Sequence, residues 1–173
     1  MRLKINKINS VAELHKYKVL QEVIDQKDNY IMYKISRDIT SNPLGILYHC
    51  MFYLDCGKTT PQDIAVNSES DIIEKITLFI SKSNKNRISL VDFSIEDKMS
   101  SCGLELNECT ADWKGRYYKL VKGSRLMWEE DENYVFFIFS DSSKQLIMYH
   151  ISNNFNILVD KNEDIQGFCL VKL

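Results

Sequence analysis

Few stretches of this sequence place chemically active residue types at useful spacings. Cys56-Gly57-Lys58-Thr59-Thr60 has the ending of a phosphate-binding loop. The complete loop needs a glycine five positions before Gly57, so that backbone N–H groups can wrap a phosphate. That position is Phe52, and Pro61 removes a donor where the following helix would start. The segment therefore reads as a polar loop. A zinc site needs four Cys or His ligands, usually with knuckle spacings of two to four residues. Here five residues separate Cys50 from Cys56 and six separate Cys102 from Cys109, with His49 alongside. Those spacings do not make a knuckle, and Cys50 and Cys169 read as small buried hydrophobes. No metal or cofactor is expected.

Nucleophilic catalysis would need a thiol or hydroxyl beside a base. The histidines are His15, His49 and His150. Cys102-Gly103 reads as a loop that presents a thiol, with His150 supplied from a strand. This pair is the basis for an alternative reading as a small enzyme. Glu105 and Glu108 flank a loop and read as solvated.

The least ordinary feature is the run Trp128-Glu129-Glu130-Asp131-Glu132. Four consecutive carboxylates follow a large aromatic and precede the most apolar segment, Tyr134 to Phe139. Like charges in a row repel and slightly oppose folding. One reading is an acidic turn that solubilises an apolar strand and discourages edge pairing. The other is a docking surface for a basic partner, with Trp128 as its anchor and Asp141 as a neighbour. Interface hot spots favour tryptophan, and clustered charge speeds encounter.

The elements that must hold these residues follow from composition and pattern. The chain has 173 residues, 45% of them apolar and 27% charged, as in one ordinary globular domain spanning 1–173. The net charge of −2 argues against direct nucleic-acid binding. It is unevenly spread: residues 1–86 carry 12 Lys/Arg against 10 Asp/Glu, and residues 87–173 carry 10 against 14. No signal-peptide pattern opens the sequence. The densest apolar stretch, Gly45 to Leu54, is too short to span a bilayer. Five cysteines without framework spacing suit free thiols in a reducing cytoplasm. No internal repeat is evident.

Ser10 and Glu13 form a capping-box pattern, and Leu14, Tyr17, Leu20 and Ile24 recur at helical spacing. Residues 11–25 are therefore expected to be a helix. A second start is read at Thr60-Pro61-Gln62-Asp63. Another helix is expected after Asp71, with Ile72, Ile76, Phe79 and Ile80 on one face. Tyr30 to Ile35 reads as a strand, and residues 45–54 lean to strand over helix. From Arg87 the period becomes two. Strands are expected at Ile88 to Phe93, Arg116 to Val121, Tyr134 to Phe139, Lys144 to Ile151, Phe155 to Val159 and Gly167 to Leu173. Short connections favour antiparallel pairing. The expected class is α+β: a predominantly antiparallel sheet of about six strands, with two or three helices mostly in the N-terminal half.

In general character the whole chain resembles the bacterial immunity proteins of contact-dependent growth inhibition and other polymorphic toxin systems. Many of those are small, mildly acidic, single-domain α+β proteins of the cytoplasm. The run from Trp128 to Glu132 is similar to the acidic patches with which they cover a nuclease toxin. The resemblance implies a stoichiometric inhibitor, not an enzyme. Its partner would be a cognate protein toxin with a basic surface, an RNase for example. No membrane or nucleic-acid contact is implied. An adaptor domain of a phage or mobile element is the remaining alternative.

Overall fold

Among the described residues thirteen strands account for nearly all of the regular structure, because β-branched and aromatic residues dominate the segments that are buried. The structure is a computed structural model. It describes residues 5–9, 17–26, 30–37, 47–53, 62–67, 69, 73–81, 88–98, 103–106, 118–139 and 142–172. In chain order the strands are β1 (Ile5–Asn9), β2 (Tyr17–Asp25), β3 (Tyr30–Arg37), β4 (Leu47–Tyr53), β5 (Gln62–Asn67), β6 (Ile73–Ser81) and β7 (Ser94–Lys98). They continue with β8 (Gly103–Leu106), β9 (Tyr118–Glu130), β10 (Tyr134–Phe139), β11 (Gln145–Ser152), β12 (Phe155–Val159) and β13 (Ile165–Val171). A 3-10 turn covers Leu90–Asp92.

The expected α+β class is overturned, since no α-helix occurs among the described residues. The segment expected as helix 11–25 is strand from Tyr17 onward, and residues 11–16 lie outside the described residues. Gln62 and Asp63 open β5 instead of a helix, while Thr60 and Pro61 lie outside the described residues. The helix expected after Asp71 is β6. The expected face joined Ile76 and Ile80, which do share the core side of the strand, to Phe79 of the opposite side, and Ile72 lies outside the described residues. β6 also carries a bulge. Val66 faces Ile73, but Ala65 faces Lys75, so Glu74 is the extra residue. The bulge puts Ile73, Ile76, Leu78 and Ile80 in the core, spaced three and then two apart. The first step imitates a helical turn. Residues 45–54 contain β4, as the lean to strand had it. Ile88 to Phe93 is the 3-10 turn and its flanks, not a strand.

Eleven strands follow one another in the order β2-β3-β6-β5-β4-β9-β10-β13-β12-β11-β7, and β1 pairs separately with β8. This order contains a duplication that the sequence does not reveal. The set β2-β3-β6-β5-β4 and the set β9-β10-β13-β12-β11 have the same topology. Both are antiparallel throughout. Both carry the same bulge, since Val159 faces Ile165 while Leu158 faces Gly167 and Gln166 is skipped. Both close the turn that leads into it alike. Asn67 Oδ1 accepts the Glu69 N–H at 2.9 Å, and Asp160 Oδ1 accepts the Asn162 N–H at 2.8 Å. Each set also gains a parallel neighbour: β9 beside β4, and β7 beside β11.

The two sets enclose one core. Tyr33 meets Phe137 edge-on at 5.8 Å and Tyr17 meets Phe155 at 5.7 Å, tying β2 and β3 to the opposite set. Ile35, Ile64, Ile76, Ile80, Trp128 and Phe168 fill the space between them. A second cluster lies on the outer face of the β9–β13 set, where Phe136, Ile138, Leu158 and Cys169 are covered by Ile88, Leu90, Phe93 and Ile95. Strands β10, β12 and β13 are thus buried on both faces, and that is why they read as mostly apolar runs. At the centre of this set Gly167 faces Ile138. A Cβ at that position would lie 2.1 Å from the Phe137 carbonyl oxygen.

Candidate functional site

The acidic run lies where β9 turns into β10, and strand alternation decides what each residue does. Phe137 faces Trp128 across the pair, and both point into the main core. Trp128 is 1% exposed. The side chain expected as a contact anchor is therefore held in the main core, beneath the hairpin. Its neighbours in sequence point the other way or lie beyond the core.

Glu130 stands at the rim of the core, with Lys172 Nζ 3.3 Å from its carboxylate. It also faces the Tyr33 phenol. Burial, and secondarily the Glu130 charge, push that phenol up to about 12. Glu129 is half-buried on the outer face and accepts the Glu130 N–H at 3.1 Å. Asp131 builds the turn. Its N–H donates to the Tyr134 carbonyl at 3.1 Å, and its Oδ1 accepts from Asn133 N and Tyr134 N at 2.8 and 2.7 Å. The Lys172 N–H donates to the Asn133 carbonyl at 2.8 Å, and Lys172 Nζ donates to the Asp131 carbonyl. Asp131 and Glu132 are exposed at the tip. The turn is thus pinned from two sides, and it presents two carboxylates with a third, Glu129, behind them. Lys172 offsets part of that charge. Asp141 lies outside the described residues.

The residues of the enzyme reading are not brought together in what is described. His150 Nε2 meets Asp97 Oδ1 at 2.6 Å, joining β11 to β7 on the outer face. Cys102 lies outside the described residues, as do Cys56, Cys109 and the Gly57–Thr60 loop. His49 Nδ1 meets the Asp63 carboxylate at 2.9 Å, a second cross-strand pair. Among the described residues no group of three or more His, Cys, Asp or Glu is placed to hold a metal.

Sequence reasoning missed one concave feature. A cleft of about 350 Å³ separates Tyr17, Lys18 and Val19 of β2 from Ser152, Asn153 and Asn154 at the β11–β12 turn. The buried Ser152 Oγ has no hydrogen-bond partner in the structure. The Tyr17 hydroxyl is turned away to the Ile73 carbonyl. These are common residue types from distant parts of the chain, and only the duplicated topology brings them together.

Cys169 is buried and free, beside the Asn156 amide at 3.8 Å. Burial above all raises its thiol from about 9 to about 12; the Asn156 hydrogen bond opposes this, and the charges of Asp131 and Asp97 add to it by less. An inert thiol follows, because the thiolate is the reactive form. At pH 8, iodoacetamide should leave Cys169 unmodified in the folded protein and label it on unfolding, as read by mass spectrometry. Tyr17, Tyr33 and Cys169 all have raised values, so above about pH 9 the unfolded chain sheds protons more readily than the folded one. Stability should therefore be unaffected by these groups below about pH 9 and decline as the pH rises toward 12. Labelling of Cys169 in the native state at pH 8 would contradict the burial.

Among the described residues no helix is long and apolar enough to cross a membrane. No family model matches the sequence, and no curated protein matches it.

Proposed function

We propose that the chain is a cytoplasmic immunity protein that neutralises a cognate toxin by stoichiometric binding over the toxin's active site. The reading is carried by one observation: Asp131 and Glu132 stand exposed on a turn fixed by side-chain and backbone hydrogen bonds. A pre-ordered acidic tip loses little entropy on docking. It attracts a basic surface over the Debye length, about 8 Å at physiological salt. A nuclease toxin has such a surface because its substrate is a polyanion. The Asp131 and Glu132 carboxylates compete with substrate phosphates, and Glu129 adds to the field. Trp128 contributes indirectly, by keeping the turn in place.

The test uses Glu132→Lys and Glu129→Lys together, which spare the turn bonds made by Asp131. The partner to assay is the product of an adjacent reading frame that encodes a toxin. Association measured by stopped flow at low salt should slow about tenfold, and the difference should shrink as salt is added. An unchanged rate, or a neighbouring frame that encodes an assembly component, removes this assignment.

A further inference from the structure

Among the described residues the internal duplication is broken at the outer edge of β2, and the break leaves a strand edge exposed. In the second set the outer edge of β9 is covered where the Ile88 N–H donates to the Trp128 carbonyl at 3.2 Å. Trp128 faces Phe137 as Val19 faces Ile35 in the first set. By that equivalence the N–H and C=O groups of Val19, Gln21 and Val23 point away from β3. β2 is a terminal strand of the sheet order and runs for nine residues. Three of the four large hydrophobic residues exposed among the described residues lie on it: Leu20 at 56%, Val23 at 52% and Ile24 at 49%. The cleft at Tyr17–Val19 keeps the start of this edge clear of the β11–β12 turn. A long, exposed, apolar edge is a template for strand addition.

The order of side chains along the edge names the occupant. Lys18, Leu20 and Glu22 alternate on one exposed face. Turned antiparallel and centred on Leu20, this face is its own complement: Leu20 meets Leu20 of a second copy, Lys18 meets Glu22, and Glu22 meets Lys18. In the same register Val19 and Gln21 exchange backbone hydrogen bonds across the join. The three outer pairs are then of the non-hydrogen-bonded kind, in which side chains approach most closely. We infer that two copies of the chain pair through β2 in this register, forming a symmetric dimer with a sheet continuous across both. A two-fold contact of this kind is closed and stops at two. The pairing goes beyond the toxin-binding reading and is independent of it, because the acidic turn belongs to the other set of strands.

Sedimentation velocity of the full chain, from 1 to 100 µM (about the range over which weak dimers form), tests this. The wild type should sediment as a concentration-dependent dimer. Lys18→Glu sets glutamate against Glu22 twice in each dimer and should weaken association about tenfold or more. Glu22→Lys should do the same with lysines. The double exchange Lys18→Glu with Glu22→Lys should restore the wild-type dimer, a rescue that general destabilisation would not give. Circular dichroism should show all three variants folded. A wild type that stays monomeric at 100 µM overturns the proposal and leaves the edge to a strand of another protein. A dimer that all three variants preserve equally also overturns it.

Discussion

Replacing Trp128 with alanine should lower the unfolding free energy by about 3–5 kcal/mol, the usual cost of truncating a fully buried large aromatic. Trp128 is 1% exposed and lies between the two strand sets, opposite Phe137. Its loss leaves a cavity that neither set can close alone, since both are held by their own ladders. Domains of this size lose roughly 2–4 °C of midpoint per kcal/mol, so melting should fall by about 10 °C or more. Urea unfolding followed by circular dichroism reads the change, with Val91→Ala as control. Val91 is 94% exposed in the 3-10 turn, and its truncation should move stability by under about 0.5 kcal/mol. A Trp128 variant as stable as that control would mean that the indole sits at the surface, and the anchor reading of the sequence would return.

Gly167→Ala is the second large effect. The added methyl would lie 2.1 Å from the Phe137 carbonyl oxygen and 3.0 Å from Ile138 Cα, both backbone atoms that cannot swing aside. β10 and β13 must therefore separate where both are buried on each face, disturbing the Phe137–Phe168 and Ile138–Gly167 pairs. Overpacking usually costs about 1–3 kcal/mol, and displaced buried backbone puts this case at the top of that range or above it. Elsewhere glycine to alanine is often mildly stabilising, through reduced freedom of the unfolded chain. The sign is thus diagnostic: a melting point raised by Gly167→Ala would show that the strands are farther apart than described.

The strands from Tyr134 onward were legible in the sequence, as were those within 30–35 and 45–54, while the expected helices and the strand at Ile88 to Phe93 were misread and β7 and β8 were missed. Tyr134–Phe139 and Phe155–Val159 are strands with the expected bounds, because turn residues border long apolar runs. In the first half two separate effects imitated helices. On β6, Ile76 and Ile80 share a face in strand and helix alike, and the half-buried Phe79 of the other face completed a helical stripe. On β2 the edge position left Leu20 and Ile24 exposed beside the inward Tyr17, so apolar residues occupied both faces and matched a helical stripe. The duplication was hidden because its equivalent positions share burial, not residue type: Ala65 stands where Leu158 does, and Ile76 where Phe168 does. At the acidic run the sequence showed the charges but not the alternation that turns Trp128 inward. The roles of Asp131 and Lys172 in closing the turn depend on β13 lying beside β10, which no local pattern announces.

The pairing of β1 with β8 also dictates an order of assembly. β2 through β6 find their partners within one stretch of chain, so a nascent polypeptide can zip them together early. Ile5–Asn9, by contrast, must wait until Gly103–Leu106 has been synthesised. The parallel join of β4 to β9 waits longer still, for Tyr118 and the residues after it. Contacts between such distant residues make for slow maturation, on the order of milliseconds to seconds in two-state all-β domains. On the ribosome the protein passes through a stage with one strand set complete and its inner face still wet, the stage at which a chaperone has most to hold.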